Sequence, residues 1–147
     1  MNRKNVTLKA LLVLSFMLFA HVLTAQVRYE KGALYGIFVG ANGTDVVSVD
    51  NQGNVVVQKA DATNPSQYWQ VEELSGSVRL VNPFRHLAIR SDEDGLLKAA
   101  EINGSDEAQL WKLVDTKQGV ALLPTNKQGK KAMAGRKGQL CLTDAES

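Results

Sequence analysis

From residue 34 onward the chain alternates short apolar runs with turn formers. Val46-Val47-Ser48-Val49, Val55-Val56-Val57, Val78-Arg79-Leu80-Val81, Leu87-Ala88-Ile89, Leu110-Trp111-Lys112-Leu113-Val114 and Val120-Ala121-Leu122-Leu123 are β-rich and often alternate apolar with polar. That two-residue period is the signature of a half-buried strand. Between the runs stand Asn42-Gly43, Asn51-Gln52-Gly53, Ser75-Gly76, Asp94-Gly95, Asn103-Gly104, Gln128-Gly129 and the pair Gly135 and Gly138, all turn chemistry. No window holds an apolar period of 3.6 for long, and the one helix-like stretch, Ser105 to Leu110, is too short to count. Strands of about 4 to 7 residues with short links predict a closed or sandwiched all-β domain.

The pattern repeats. Gln67-Tyr68-Trp69 and Gln109-Leu110-Trp111 lie 42 residues apart. Gly53, Gly95 and Gly138 follow intervals of 42 and 43, each ahead of an apolar run. Such a period means one structural unit copied, with neighbours closing a shared core. Each unit starts with a strand near 35–40, 78–82 or 120–124. A second strand falls near 45–50, 86–90 or 130–134, a third follows the shared glycine, and the fourth carries Gln-x-Trp. Three such units round a pseudo-threefold axis make a β-trefoil. In this arrangement Trp69 and Trp111 are core posts, and Gln67 and Gln109, two residues earlier on the same strand face, pair buried backbone groups.

The third unit stops short. Its Gln-x-Trp strand would fall near residue 153, past Ser147. Gln26 precedes Gln67 by 41 residues, close to the period. The expectation is that residues 26–31 pair beside residues 139–143 and supply the missing strand. The alternatives are a truncated chain or a strand supplied by a partner.

Charge and cysteine content narrow the class. Arg3, Lys4 and Lys9 precede the apolar stretch Ala10 to Ala20, and Leu23-Thr24-Ala25 offers a small residue before Gln26. This is the layout of a secretory signal peptide, residues 1–25, with export to the periplasm or exterior. The other reading is a retained anchor, but the apolar run is about half of the roughly 20 residues that span a bilayer. The remaining domain, residues 26–147, carries 14 basic and 15 acidic residues, a net charge of −1 against +2 for the whole chain. Near neutrality gives no general pull on nucleic acid or anionic lipid, and no membrane span is expected after cleavage. Cys141, the single cysteine, sits in the alternation Leu140-Cys141-Leu142 and reads as a packed residue.

The Gln-x-Trp repeats resemble the ricin-type β-trefoil lectin family over nearly all of residues 34–147. The resemblance implies carbohydrate binding. It also implies particular residues: an Asp in the second strand, an aromatic at the end of the third, and an Asn before the motif Gln. At the matching positions stand Ser48, Ala88 and Ala132; Gln58-Lys59, Ala100-Glu101 and Thr143-Asp144; and Ser66 and Ala108. The usual sugar-site residues are absent, so weak or no binding to simple galactosides is expected. If a site survives, the first unit carries it, through Ser48, Asp50, Gln58 and Ser66. Tyr68, between two buried motif residues, points away from them.

Other constellations carry less. Ser91-Asp92-Glu93-Asp94-Gly95 clusters carboxylates, but without the alternating oxygen ligands of a Ca²⁺ loop it reads as a solvated hairpin. His86, the one histidine after residue 25, has no metal-ligand partners at suitable spacing and reads as a strand residue. Lys127, Lys130, Lys131, Arg136 and Lys137 read as a solvated basic loop. Asn42-Gly43-Thr44 and Asn103-Gly104-Ser105 match the glycosylation sequon and also read as turns. No nucleophile–base pair, phosphate loop, metal set or cofactor motif is present, so a non-catalytic binding module is expected. Its partner is a glycan, implied by the resemblance, or else a secreted or cell-surface protein bound by a trefoil without lectin activity. Fold alone does not choose between them.

Overall fold

The computed structural model describes residues 27–40, 43–117, 119–126, 131–136 and 139–144. The expected signal peptide lies outside them, as do Asn42 and the basic residues Lys127, Lys130 and Lys137. The described residues form β1 (Phe38–Val39), β2 (Asp45–Val49), β3 (Val55–Lys59), β4 (Gln70–Leu74), β5 (Ser77–Asn82), β6 (Leu87–Ser91), β7 (Leu97–Glu101), β8 (Trp111–Thr116), β9 (Gly119–Pro124), β10 (Lys131–Arg136) and β11 (Gln139–Asp144). Two short 3₁₀ turns, Pro65–Gln67 and Glu107–Gln109, are the only helical residues among them.

The fold is a β-trefoil. Three hairpins, β2–β3, β6–β7 and β10–β11, are the second and third strands of the units. The first and fourth strands pair with one another instead. Tyr35 bridges Trp69 within the first unit, and Val78 pairs with Trp111 within the second. Each fourth strand also pairs forward, β4 with β5 and β8 with β9. The forward ladders keep the repeat register: Gln70 faces Val81, and 42 residues on Lys112 faces Leu123.

The hairpins touch in a ring. Asn54 bridges Lys98, and the Ala99 N–H donates to the Gly53 carbonyl at 2.9 Å. The third unit makes the matching contact with the first, where Gln139 pairs with Val56. Gly53 holds φ at 82° in its turn, where a side chain is strained, and a Cβ there would meet the Ala99 carbonyl oxygen at 3.4 Å. The core unites the inward residues of the units: Tyr35, Val47, Val55, Trp69, Leu80, Ile89, Leu97, Trp111 and Leu122, with Val27 from the N-terminal segment.

The expected closure by residues 26–31 takes a different form. Among the described residues, β11 is flanked by β10 and β3, and residues 27–30 form no ladder with it. The reason is topological. Third strands belong to the hairpin ring, whereas fourth strands pair with first strands, so a fourth-strand substitute has no place beside β11. The segment turns back on its own unit. The Ala33 N–H donates to the Glu30 carbonyl at 3.2 Å, and the Glu30 N–H donates to the Tyr35 hydroxyl at 2.7 Å. The turn glycine Gly32, with φ at 78°, matches Gly76, with φ at 85°, in the β4–β5 turn.

Two local expectations are corrected as well. Gln67 and Gln109 are not strand residues; each ends a 3₁₀ turn. Asn64 and Asp106 cap those turns by accepting from the Ser66 and Ala108 N–H groups, both at 3.0 Å. His86 is not a strand residue either. It closes the β5–β6 turn, exposed, with φ at 53°.

Candidate functional site

The two motif copies are built alike. Trp69 and Trp111 are wholly buried. Their indole N–H groups donate to the Val47 and Ile89 carbonyls, each at 3.0 Å. The Gln67 amide donates to the Lys59 carbonyl at 2.9 Å and accepts from the Asp61 N–H at 2.7 Å. Gln109 repeats this on Glu101 at 2.7 Å and Asn103 at 3.1 Å. The motif therefore ties the end of each third strand to the turn that follows, and its Gln and Trp side chains are buried in both copies. Tyr68 is half-buried between Gln67 and Trp69, and its hydroxyl donates to the Ala62 carbonyl at 2.7 Å.

The first-unit candidates do not form one surface. Ser48 is buried, and its Oγ has no hydrogen-bond partner. Gln58 is exposed on β3, and Ser66 lies half-buried in the 3₁₀ turn. Asp50 organises the β2–β3 turn. Its Oδ1 accepts from the Gln52 N–H at 2.9 Å and the Asn54 N–H at 2.8 Å, and its Oδ2 accepts from the Asn54 amide at 3.0 Å. These bonds, the Asn54 side chain foremost, hold its carboxyl below the ordinary aspartate value. The next unit reaches across this region. Arg85 donates to the Asp50 carbonyl at 3.1 Å and Asn82 to the Pro65 carbonyl at 3.0 Å.

The open cleft lies one unit further on. About 830 Å³ of space is bounded by the end of β6, the β6–β7 turn, the Glu107–Gln109 turn and Asn126. Arg90 stands in it, one-third exposed, paired with Asp92 and, through Nε, with Asp106 Oδ2 at 3.2 Å. Lys98 joins Asp92 at 3.1 Å. Asn126 donates to the buried Ser91 hydroxyl at 3.0 Å. Glu93, Asp94 and Glu107 line the rim, exposed to solvent. The carboxylate cluster seen in the sequence is thus a hairpin turn that also borders a cleft. Its floor is pre-positioned by ion pairs and presents donors and acceptors side by side, the arrangement that orients a polyhydroxylated ligand. Among the described residues no three His, Cys, Asp or Glu side chains are grouped to hold a metal.

The sequence reading places the surviving site in the first unit because Ser48, Asp50, Gln58 and Ser66 are polar, and it matches Ser48 with Ala88. The ladders give another register. Ser48 faces Val56, and Arg90 faces Lys98, so the true counterpart of Ser48 is Arg90. The 42-residue spacing of the two tryptophans already carries that register, since Arg90 lies 42 residues after Ser48. Asp106, bonded to Arg90, and the cleft residue Asn126 carry no signal of their own in the sequence.

The class defined by this architecture is the β-trefoil. Comparison with solved structures places it there at low sequence identity. A GlcNAcα1-4Gal-releasing endo-β-galactosidase from Clostridium perfringens superposes with a TM-score of 0.63 at 13% identity, covering 72% of this chain and 27% of that one. A lectin from Polyporus squamosus, solved with a human-type influenza-binding epitope, superposes with a TM-score of 0.66 at 10% identity, covering 82% and 46%. The designed threefold-symmetric protein ThreeFoil gives 0.57 at 18% identity, covering 70% and 84%. The chain therefore spans about a quarter of the first of these proteins and under half of the second, and most of the third. No protein-family model matches the chain, and no curated protein sequence matches it.

Proposed function

We propose that this protein is a non-catalytic carbohydrate-binding module of the ricin-type kind, exported through its N-terminal segment, with the second-unit cleft as its glycan site. The observation that carries the reading is the cleft itself. It is an open, polar space of about 830 Å³, of the size that holds a small ligand, at the junction of a hairpin and the Gln-x-Trp turn. The lectin among its structural neighbours supports the same reading. The ligand differs from the simple galactosides of the family, because Arg90, paired with Asp106, stands in the cleft, Ala108 precedes the motif Gln, and the third-strand end reads Ala100-Glu101.

A glycan array probed with the full domain tests this. Saturable binding that is lost in Glu107→Ala/Asn126→Ala, with the melting temperature unchanged, is the expected result. An array without signal at any glycan overturns the reading. A second reading is protein contact by a trefoil without lectin activity. The exposed Leu96, Ile102 and Val114 favour it. A pull-down on the same preparation reads that outcome. Export is tested separately, by sequencing the N-terminus of the protein recovered from outside the cytoplasm; a start at Met1 overturns it.

A further inference from the structure

The turn that follows β7 has a counterpart in the first unit, and the two differ in one chemical respect. Asn103-Gly104-Ser105 stands 42 residues after Asp61-Ala62-Thr63. The side-chain bonds match. Asp61 Oδ1 accepts from the Thr63 N–H at 2.9 Å and the Thr63 hydroxyl at 2.7 Å. Asn103 Oδ1 accepts from the Ser105 N–H at 3.0 Å and the Ser105 hydroxyl at 2.9 Å. The main chain is held on both sides as well. The Asp61 N–H donates to Gln67 Oε1, and the Asp61 carbonyl accepts from the Asn64 N–H at 3.0 Å. The Asn103 N–H donates to Gln109 Oε1 at 3.1 Å, and the Asn103 carbonyl accepts from the Asp106 N–H at 3.2 Å. One side-chain shape serves both units, as a carboxylate in the first and an amide in the second.

Only the amide, followed by glycine, is set to react with its own backbone. Asn103, Gly104 and Ser105 are all exposed. Gly104 has no Cβ to shield its nitrogen, and its N–H donates to no group among the described residues. The Gly95 N–H of Asp94-Gly95, by contrast, donates to the Asp92 carbonyl at 3.0 Å. The two Ser105 donors sit on the oxygen of the Asn103 amide, where negative charge develops when a nucleophile adds to its carbon.

We propose that Asn103-Gly104 is a self-modifying site, at which the chain deamidates without an enzyme and thereby loosens the second Gln-x-Trp latch. The Gly104 amide nitrogen, its proton taken by solvent hydroxide, bonds to Asn103 Cγ. The bond from Cγ to the side-chain nitrogen breaks, and that nitrogen leaves as ammonia with a proton from water. The resulting succinimide takes up water at one of its two carbonyls. Opening at Cγ restores the main chain and leaves an aspartate, the residue type that the first unit carries at Asp61. Opening at the backbone carbonyl leaves an isoaspartate, whose main chain runs through Cβ and Cγ. That chain is one carbon longer between the Gln109 anchor and the turn capped by Asp106, so the two-sided hold on residue 103 is lost. Asp106 also holds Arg90, so the change reaches the cleft.

The test is incubation of the full domain at mildly alkaline pH. Site-resolved peptide mass spectrometry, isoaspartate counting with a protein isoaspartate methyltransferase, and thermal melts follow it. Modification at Asn103 should accumulate at a rate that rises with pH, because the nucleophile is the deprotonated amide. In Gly104→Ala it should slow roughly tenfold or more, since a Cβ crowds the attack and restricts the backbone. That variant should fold as before: Gly104 lies outside the left-handed region, a Cβ there meets nothing within 4 Å, and Ala62 holds the matching place. Aged wild type should melt several degrees lower and aged Gly104→Ala should not, which separates this site from Asn42-Gly43. Asn103→Asp should melt like fresh protein. An Asn103 that stays intact in the folded domain, while the chain in denaturant deamidates there, overturns the proposal, because the turn then protects the amide. Isoaspartate at position 103 without a fall in melting temperature overturns the loosening of the latch. Asn103→Asp melting as low as the aged protein overturns it too, because the new charge and not the longer main chain would then be the cause.

Discussion

Trp69 donates its indole N–H to the carbonyl of Val47, 22 residues earlier, at 3.0 Å. Trp111 does the same to Ile89, over the same separation and at the same distance. The contact joins the fourth strand of a unit to its second strand, through the middle of the core. A large apolar body fills the space between strands, and its one polar atom pairs a buried carbonyl. Truncation to alanine at either position should cost roughly 3–5 kcal/mol. The Trp→Phe variants separate the two contributions: they keep most of the volume but leave the carbonyl unpaired, for about 1–3 kcal/mol. Denaturant melts measure both. A loss below about 1 kcal/mol for both alanine variants would contradict a core role.

Gln109 both donates and accepts, so its charge state should matter more than its size. In Gln109→Glu the carboxylate cannot donate to the Glu101 carbonyl, now 2.7 Å from the amide nitrogen. Burial raises the carboxyl pKa in the folded state above its unfolded value of about 4.3. A group raised in this way is least harmful below the unfolded pKa. The variant should be nearest to wild type at about pH 4 and lose at least about 2 kcal/mol by neutrality. Melts across that pH range check it; a pH-independent deficit would show that the donated bond is not the issue.

The β2–β3 turn should set part of the acid limb of stability. Hydrogen bonds from Asn54, and then from Gln52, lower the Asp50 pKa beneath the ordinary 3.8. Asp61 is lowered too, by the Thr63 side chain and then its N–H. A depressed carboxyl contributes stability above its unfolded pKa and loses it as pH falls through the folded value. Stability should therefore decline below about pH 4, and Asn54→Ala should make that decline shallower. Both carboxyls are solvent-exposed, so the effect is small, and a Tm profile between pH 2 and 5 reads it. A profile identical in Asn54→Ala would show that the Asn54 side-chain bond to Asp50 takes no part.

Ser48 offers the opposite case. Its hydroxyl is buried without a hydrogen-bond partner, so the chain carries a desolvated polar atom there. Ser48→Ala should leave stability within about 0.5 kcal/mol of wild type or raise it by up to about 1 kcal/mol. A loss above about 1.5 kcal/mol in a urea melt would reveal a partner for the hydroxyl. The same variant should leave glycan binding unchanged, because the side chain is out of reach of any ligand.

The alternation of β-branched runs with glycine turns determined the strands, and the 42-residue recurrence of Gln-x-Trp determined the trefoil, because a repeated unit with half a core has few ways to close. The burial of Trp69 and Trp111 was legible on the same ground. What the sequence could not decide was which residues meet across units. Sliding Ser48 onto Ala88 respected the apolar pattern but missed the ladder register by two residues, a slip that keeps every side chain on its face and so leaves no trace in the alternation. The position of the N-terminal segment was hidden for a similar reason. Its sequence resembles the start of a fourth strand, but only the pairing of first with fourth strands determines its neighbours. The cleft around Arg90 belongs to this second kind of fact. It is closed across a unit boundary by Asn126 on Ser91, 35 residues apart, and Arg85 reaches Asp50 over the same separation one unit earlier. Such contacts are made by packing between units, and nothing local in the chain specifies them.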